Sequence, residues 1–380
     1  MMLLNDSSFP STFFLTGIPG MAFAHIWISL PFFSMFFMAV TGNCISLFLI
    51  FTDCNLHQPM FFFLSMLSSV DLVLSLSTLP RMLTIFWFDA TAISFHACLV
   101  QMFFIHAFSA MESGVLVAMG LDCYVAICNP RCYSSIPTPV VIAQIGGLVM
   151  LRGIGFTVSF PSLAQHLPCC GSHVIAYTYC EHMTVKLACG DTTRDNINAF
   201  IVALFLGIGD VAFIAYSYGR ILQTVLNFPS HEAWAKAGST CTAHVVVILF
   251  FYMPGFLSVI MQRVGPPTAF AVKVIFANLY LLFLPALNPI IYGVKTKKIR
   301  ERLLVILNPK KIDPPPRVLT CFSGIRRGIV EVLSWHAQRG KESWHTGLAV
   351  PFGEDRRLND VAIRNTQARF WDNSIEGQCS

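Results

Sequence analysis

Residues 114–133, GVLVAMGLDCYVAICNPRCY, decide how the rest of the chain is organised. The stretch begins as an apolar helix, meets the triplet Asp122-Cys123-Tyr124, and ends at Asn129-Pro130, where a proline closes a helix. An acidic side chain at the end of a long apolar helix is costly in a membrane unless it is paired or reaches water. We therefore expect Asp122 to mark a functional site at the end of a membrane-spanning helix.

The composition is typical of a polytopic membrane protein. Of the 380 residues, 55% are hydrophobic and 12% are charged, whereas a soluble globular protein carries about a quarter charged residues. Residues 311–380 alone hold 10 of the 25 basic and 8 of the 20 acidic side chains. The apolar body therefore ends near Lys310-Lys311. The basic residues beside the last apolar run are those that a lipid surface attracts, and no basic stripe indicates nucleic acid.

Seven long apolar segments predict the fold class. The first, Ile26–Thr52, contains no Lys, Arg, Asp, Glu or His, and about 20 apolar residues suffice to cross a ~30 Å hydrocarbon core. The other six runs cover roughly residues 60–86, 97–128, 140–162, 197–219, 240–262 and 274–294. We therefore expect an all-α membrane protein, a seven-transmembrane helix bundle.

The distribution of Lys and Arg predicts the orientation of the bundle. Ten basic residues flank the spans on one side, in or beside residues 52–59, 129–138, 220–238 and 295–311. Four lie on the other side: Lys186, Arg194, Arg263 and Lys273. The side with the excess faces the cytoplasm, which makes the N-terminus extracellular. Asn5-Asp6-Ser7 is a glycosylation motif that agrees with this orientation, so we expect a glycan on Asn5.

Several motifs identify a family. Residues 119–133, MGLDCYVAICNPRCY, resemble the M-A-x-D-R-Y-V-A-I-C-x-P-L-R-Y signature of olfactory receptors, a branch of the rhodopsin-like G-protein-coupled receptors. Further family motifs occur in the same order along the chain: Gly42-Asn43, LHQPM at 56–60, Ser217-Tyr218, KAGSTC at 236–241 and PALNPIIY at 285–292. The segments FIH at 104–106, MES at 111–113 and YCEHM at 179–183 resemble the class I, fish-like subgroup. The resemblance covers about residues 5–310.

The resemblance implies a function. An olfactory receptor in the plasma membrane binds a small-molecule odorant, uses no cofactor, is not an enzyme, and signals through a stimulatory heterotrimeric G protein to raise cyclic AMP. The likeness to the class I subgroup points to a polar or carboxylic volatile ligand. The residues that the resemblance assigns to G-protein coupling are Asp122, Cys123, Tyr124, Tyr218, Lys236 and Tyr292.

Two departures from the signature leave alternatives open. Cys123 stands where the family has the arginine of its D-R-Y triplet, and Arg131-Cys132 replaces Leu-Arg. A weakly coupling or non-signalling, decayed receptor is therefore an alternative. A transporter or channel would predict inverted repeats and broken helices around a midplane site, and the sequence indicates neither. An enzyme would need a catalytic pair inside the bundle, and the isolated carboxylates offer none.

Five cysteines lie on the outer side in this topology: Cys98, Cys169, Cys170, Cys180 and Cys189. The other eight lie in spans or on the reducing side. The resemblance pairs Cys98 with Cys180 and Cys170 with Cys189, which leaves Cys169 over. A rival interpretation is a metal site formed by Cys180, Glu181 and His182.

Ionisable residues inside the spans should face the bundle interior or water: Asp71, His106, Glu112, Asp122, Arg152 and Asp210. By the resemblance, Asp71 and Glu112 lie near Asn43 and Asn288 and could hold a sodium ion; the alternative is a hydrogen-bonded network without an ion. We expect Arg152 to reach the interface or to pair with another helix rather than to contact a ligand.

The resemblance places the odorant between spans three, five and six. His106 and Ser109, three residues apart, share one face of span three. In such receptors an arginine at the position of Arg263 and a histidine at that of His182 contact carboxylate ligands. The alternative for Arg263 is a side chain that only reaches the outer interface.

Four regions are expected from these observations. Residues 1–25 are an extracellular N-terminus, 26–294 the receptor bundle, and 295–310 a short amphipathic helix on the inner membrane surface. Residues 311–380 include three consecutive prolines near their start and are polar, so we expect a disordered cytoplasmic tail. A folded binding module is the alternative for this region.

Overall fold

Seven membrane-spanning helices form the body of the protein. The computed structural model describes residues 11–18, 25–129, 133, 139–165, 174–175, 177–180, 192–227, 231–264 and 270–307. Within these residues, seven helices are long and apolar enough to cross a membrane. They are α1 (His25–Thr52), α2 (Pro59–Phe88), α3 (Phe95–Cys128), α4 (Pro139–Thr157, with the span continued by the short helix Ser159–Ala164), α5 (Thr193–Leu226), α6 (His231–Val264) and α7 (Phe270–Lys295). The predicted all-α seven-helix bundle is confirmed.

Helix ends differ from the apolar runs that predicted them. α5 begins at Thr193 rather than near 197, and α6 begins at His231 rather than near 240. The added turns are polar, because hydropathy marks the membrane core and not the length of the helix. α5 also contains a π-helical stretch, Ala203–Gly209, immediately before Asp210. Such stretches are rare and occur frequently at functional sites.

A small sheet covers one end of the bundle, which we call the N-terminal face. β1 (Thr12–Leu15) pairs antiparallel with β2 (Ala92–Ser94) and parallel with β3 (Val174–Ile175), in the order β2-β1-β3. Phe13 and Leu15 alternate inward and are buried, while Phe14 between them is exposed. No pattern in the sequence indicated a strand before the first span, yet β1 is the centre of this sheet.

Glycines allow close packing at two helix pairs. A Cβ atom on Gly42 of α1 would lie 2.6 Å from Cβ of Pro289, so α1 contacts α7 directly at this level. Next to it, Asn43 Nδ2 donates to Pro285 O of α7 at 3.0 Å. A Cβ on Gly153 of α4 would lie 2.6 Å from Met111 Cγ of α3. Any larger residue at 42 or 153 would therefore separate these helices.

The opposite end of the bundle, the C-terminal face, carries the short helix α8 (Lys297–Leu307), in the segment where an amphipathic helix is expected. Ile299 is buried against the bundle, whereas Arg300 is exposed. Arg302 pairs with Asp53 in the α1–α2 connection, and Asp53 Oδ1 also accepts from Asn55 N at 3.0 Å. This ion pair joins α8 to the first connection of the bundle on that face.

Candidate functional site

Four polar side chains from four helices meet inside the bundle. Asp210 of α5 accepts hydrogen bonds from Arg152 of α4 and from the hydroxyl of Ser113 of α3. Ser113 Oγ also lies 2.7 Å from Tyr252 Oη of α6. Because the single Ser113 proton goes to Asp210, Tyr252 is the donor in the second bond. We call Ser113, Arg152, Asp210 and Tyr252 the mid-bundle polar cluster.

The cluster pairs the charges of Asp210 and Arg152, which would be costly inside a membrane if they were unpaired. The side chain of Asp210 is 10% exposed and that of Arg152 is 25% exposed. Of the two roles expected for Arg152, the structure supports the partner on another helix. Ser113 and Tyr252 were missed by sequence reasoning, because a neutral hydroxyl in an apolar helix gives no signal by itself. The signal available was a second ionisable residue, Asp210, in the span after Arg152.

The predicted ligand residues of α3 lie on the same helix face as the cluster. His106, Ser109 and Ser113 are spaced at intervals of three and four residues, so they line one stripe of α3. Ser109 and Ser113 are separated by about 6 Å along the helix axis. The His106 ring contacts the Phe160 ring, with centroids 4.8 Å apart. A molecule held beside Ser109 would therefore lie one helical turn from Ser113.

The other two predicted ligand residues are not placed by the structure. His182 lies outside the described residues, as does Glu181. Arg263 belongs to the last turn of α6, and its side chain is not described. The structure thus places His106 and Ser109 on one face of α3 and leaves the predicted carboxylate contacts as proposals.

A second polar site lies between α2, α3 and α7. Asn288 Nδ2 donates to Asp71 Oδ2 at 2.8 Å, and the carboxyl group of Glu112 on α3 is a close neighbour of that of Asp71. Both carboxyl groups are buried, at 0% and 2% exposure. Two adjacent carboxylates cannot both be ionised there without a cation, so the pair shares a proton or binds a positive ion.

Several oxygens at this second site have no hydrogen-bond partner among the described residues. At the site they are Asp71 Oδ1, Glu112 Oε1 and Asn288 Oδ1. Asn43 Oδ1 of α1 is also unpaired within the described chain, on the amide that donates to Pro285 O one turn before Asn288. Buried polar atoms are normally paired. Carboxylate and amide oxygens are also the ligands that hard cations prefer. The donor set therefore fits a small hard cation such as sodium.

Near the C-terminal face, Cys123 is buried at the contact between α3 and α5. It packs in one cluster with Ile221 and Val225, and Tyr218 lies against that cluster. Asp122 accepts a hydrogen bond from Tyr133 Oη at 3.3 Å. A neutral hydroxyl therefore contacts the carboxyl group that in the family lies next to an arginine.

Three polar groups near Cys123 and the C-terminal face have no hydrogen-bond partner within the part of the chain that the structure describes. They are Tyr218 Oη of α5, His244 Nε2 of α6 and Tyr292 Oη of α7. The rings of His244 and Tyr292 meet edge to face at 6.0 Å. Tyr124 is partly buried, and the side chain of Lys236 is not described. The predicted coupling residues that can be placed thus converge on one end of the bundle.

The structure contains the disulfide Cys98–Cys180. Cys180 is therefore unable to act as the thiolate ligand of the rival metal site. Cys169, Cys170 and Cys189 lie outside the described residues, as do Asn5 and residues 311–380. Cys54 in the α1–α2 connection is also disulfide-bonded, although the sequence placed it on the reducing side.

We predict that Asp210→Asn destabilises the bundle, because it leaves the Arg152 charge without its partner. After allowance for the partial exposure of Arg152, the loss should be about 2 kcal/mol. Thermal unfolding of the purified protein in detergent measures it as a Tm lower by several degrees. Asp89→Asn is the control, since Asp89 is exposed and its positive φ suits asparagine. An unchanged Tm for Asp210→Asn would contradict the stabilising role of the pair.

Comparison with known proteins places this geometry in a family. A family model described as "Olfactory receptor" matches residues 32–310. Human olfactory receptor 52K1 is 48% identical over 307 residues, covering 80% of this chain and 98% of the relative. Human olfactory receptor 52R1 is 50% identical over 301 residues, covering 79% and 96%. Squid rhodopsin has the same fold, with a TM-score of 0.58 and 18% identity over 73% of this chain and 85% of that chain. The chain belongs to the olfactory receptor family, whose members are multi-pass G-protein-coupled receptors and not enzymes.

Proposed function

We propose that this receptor binds a small polar or carboxylic volatile ligand and signals through a stimulatory heterotrimeric G protein to raise cyclic AMP. One observation carries the proposal: the stripe His106, Ser109 and Ser113 on α3 leads from the predicted pocket to the mid-bundle polar cluster. A ligand beside this stripe lies next to the bond that joins α3 to Tyr252 of α6.

The cluster suggests how binding is converted into a signal. A ligand shifts an existing equilibrium only if it binds one conformation better than the other. In our proposal the ligand contacts His106 and Ser109 on α3, His182 on the loop and Arg263 on α6. These contacts favour an arrangement in which the Ser113–Tyr252 hydrogen bond is broken. The end of α6 at the C-terminal face then moves away from α3. The G protein then binds at the opened face.

The proposal includes an orientation. The N-terminal face is extracellular, because basic residues are concentrated at the other end of the spans, in α8 and the connections on that face. A glycan on Asn5 and a second bridge, Cys170–Cys189, belong to this extracellular side. The tail 311–380 is then cytoplasmic. Lipid contacts the exposed apolar faces of the spans, and α8 lies on the inner membrane surface.

Coupling is proposed to be weak. Asp122, Cys123, Tyr124, Tyr218, Lys236 and Tyr292 form the surface for the G protein. Arginine carries five donors on a long side chain, whereas a buried cysteine is short and has a weak S–H donor. Because Cys123 is buried against α5, it offers no group that could reach a partner protein. The alternative to weak coupling is a receptor that does not couple to the G protein and does not signal.

The pair Asp71 and Glu112 is proposed to hold a sodium ion, with Asn43 and Asn288 as neutral ligands. The bound ion supplies the positive charge that two buried carboxylates need. We predict that raising sodium chloride at constant ionic strength, with choline chloride as the replacement salt, increases the Tm of the purified receptor. Glu112→Gln should abolish this increase, because one charged ligand is lost. A salt response that Glu112→Gln retains in full would remove the ion from this site.

The proposed ligand class is tested by comparing acids with their esters. We expect small aliphatic carboxylic acids to raise cyclic AMP in cells that display the receptor, and their methyl esters to be at least about tenfold weaker, because a charge-assisted pair is lost. Arg263→Gln should reduce the response to acids and leave responses to alcohols unchanged. Equal potency of acid and ester would exclude Arg263 from the site. The absence of any response across acids and alcohols would favour the non-signalling alternative.

The coupling proposal is tested by restoring the arginine. Cys123→Arg should increase the maximal cyclic-AMP response severalfold at equal surface level, without changing the order of ligand potency. Cys123→Ser is the matched control, because it keeps the size of the side chain and supplies no cation. If Cys123→Arg and wild type give the same robust response, the family's arginine is dispensable in this chain.

A further inference from the structure

A loop segment, residues 177–180, is unusually well fixed on the N-terminal face. Loops normally run over the surface of a protein. Here Thr178 and Cys180 are 0% exposed, and Tyr177 and Tyr179 are also buried. Burial of such a loop is favourable only if its polar groups are paired. The residues that provide this pairing lie on α3 and α7.

On one side, the segment is held by α3. The disulfide joins Cys180 to Cys98, and Gln101 Oε1 accepts a hydrogen bond from Cys180 N at 3.0 Å. The same amide donates through Nε2 to Ser77 O of α2 at 2.8 Å. Gln101 therefore connects the segment to two helices at once, one contact through each end of its amide.

On the other side, the segment is held by α7. Thr178 Oγ1 donates to Asn278 Oδ1 at 2.8 Å. Asn278 Nδ2 donates to Val274 O of its own helix at 2.8 Å, and this second bond orients the amide so that Oδ1 accepts from Thr178. Both Thr178 and Asn278 are fully or almost fully buried, so water does not replace the bond.

The strand before the segment adds a third attachment. Ile175 O of β3 accepts from Thr16 N at 3.0 Å. Leu15 and Ile18 are buried in the same apolar cluster as Ile175, Tyr177 and Tyr179. The segment is thus attached to the sheet and joined to helices on both sides of the bundle.

From these contacts we propose that Gln101, Thr178 and Asn278 are positioning residues that fix the spacing of the N-terminal-face ends of α3 and α7 and thereby limit the size of the ligand that the receptor accepts. The ligand part rests on the proposed function. The Thr178 hydroxyl makes the hydrogen bond between α7 and a segment that the disulfide and Gln101 fasten to α3, beside the apolar packing of Val274 and Leu281 with Tyr177 and Tyr179. Without it, α7 can move outward while the disulfide stays intact.

Thr178→Val tests the spacing without any ligand, because it keeps the volume of the side chain and removes the hydroxyl. Hydrogen–deuterium exchange of residues 274–282 of α7, in purified receptor in lipid nanodiscs, should become about fivefold faster, the effect of one buried hydrogen bond. Thr178→Ser keeps the hydroxyl and should exchange as wild type does. Unchanged exchange in Thr178→Val would overturn the proposal.

The matched control is Thr157→Val. Thr157 is also buried, but its hydroxyl donates to Gly153 O within α4, so its removal breaks no contact between helices. Exchange in residues 274–282 should therefore be unchanged. Equal acceleration in Thr157→Val and Thr178→Val would mean that any buried threonine change loosens α7, which overturns the assigned role.

Ligand size is tested with a homologous series of straight-chain carboxylic acids. At matched surface display, Thr178→Val should raise the potency of long acids relative to short ones by about three- to tenfold. An equal change for every acid, or reduced display alone, would indicate a purely structural residue and contradict the proposal. If no acid activates even the wild type, the proposed ligand class fails, and the exchange experiment still decides whether Thr178 positions α7.

Discussion

The Arg152–Asp210 ion pair is the constraint on which the arrangement of the bundle depends. Charges inside a membrane must be paired or must reach water, so α4 and α5 must each turn one charged residue toward the other. Ser113 and Tyr252 complete the hydrogen bonds and add α3 and α6 to the same point. One cluster therefore restricts the rotation of four helices about their axes.

Packing next to the pair supports it. Gly153 comes directly after Arg152 and lies against Met111 of α3, so α4 approaches α3 closely at the level where the charged side chain is needed. The π-helical stretch Ala203–Gly209 ends immediately before Asp210. An extra residue in one turn rotates the later turns of the helix relative to the earlier ones, which provides a way to direct Asp210 to the interior.

The sequence predicted the seven spans, because apolar runs of this length have one dominant explanation in a chain with so few charges. The family motifs also indicated the contact of Asp71 with Asn288, which the structure contains. The sheet could not be predicted. Its central strand, Thr12–Leu15, has only four residues, and its partner strands lie far along the chain, at Ala92–Ser94 and Val174–Ile175. No turn sequence between adjacent strands therefore predicts the pairing.

The contacts of neutral polar side chains could not be predicted from the sequence either. Ser113, Tyr252 and Asn278 are ordinary polar residues in apolar helices, and their roles depend on which helices become neighbours. The position of Cys123, in contrast, was identified from the sequence, because it lies in a family motif. Around it, Tyr218, His244 and Tyr292 each keep a polar atom without a partner among the described residues. A long donor side chain would satisfy such groups, and cysteine does not.

We infer that the mid-bundle polar cluster holds the resting arrangement of α3 and α6. Ligand-independent cyclic-AMP production per receptor at the cell surface, compared between wild type and Tyr252→Phe, measures it most directly. We expect a severalfold increase, because the change removes only the donor to Ser113. Tyr216→Phe, on the exposed face of α5, should behave as wild type. Equal production by wild type and by a Tyr252→Phe receptor that responds normally to ligand would show that the cluster does not hold the resting arrangement.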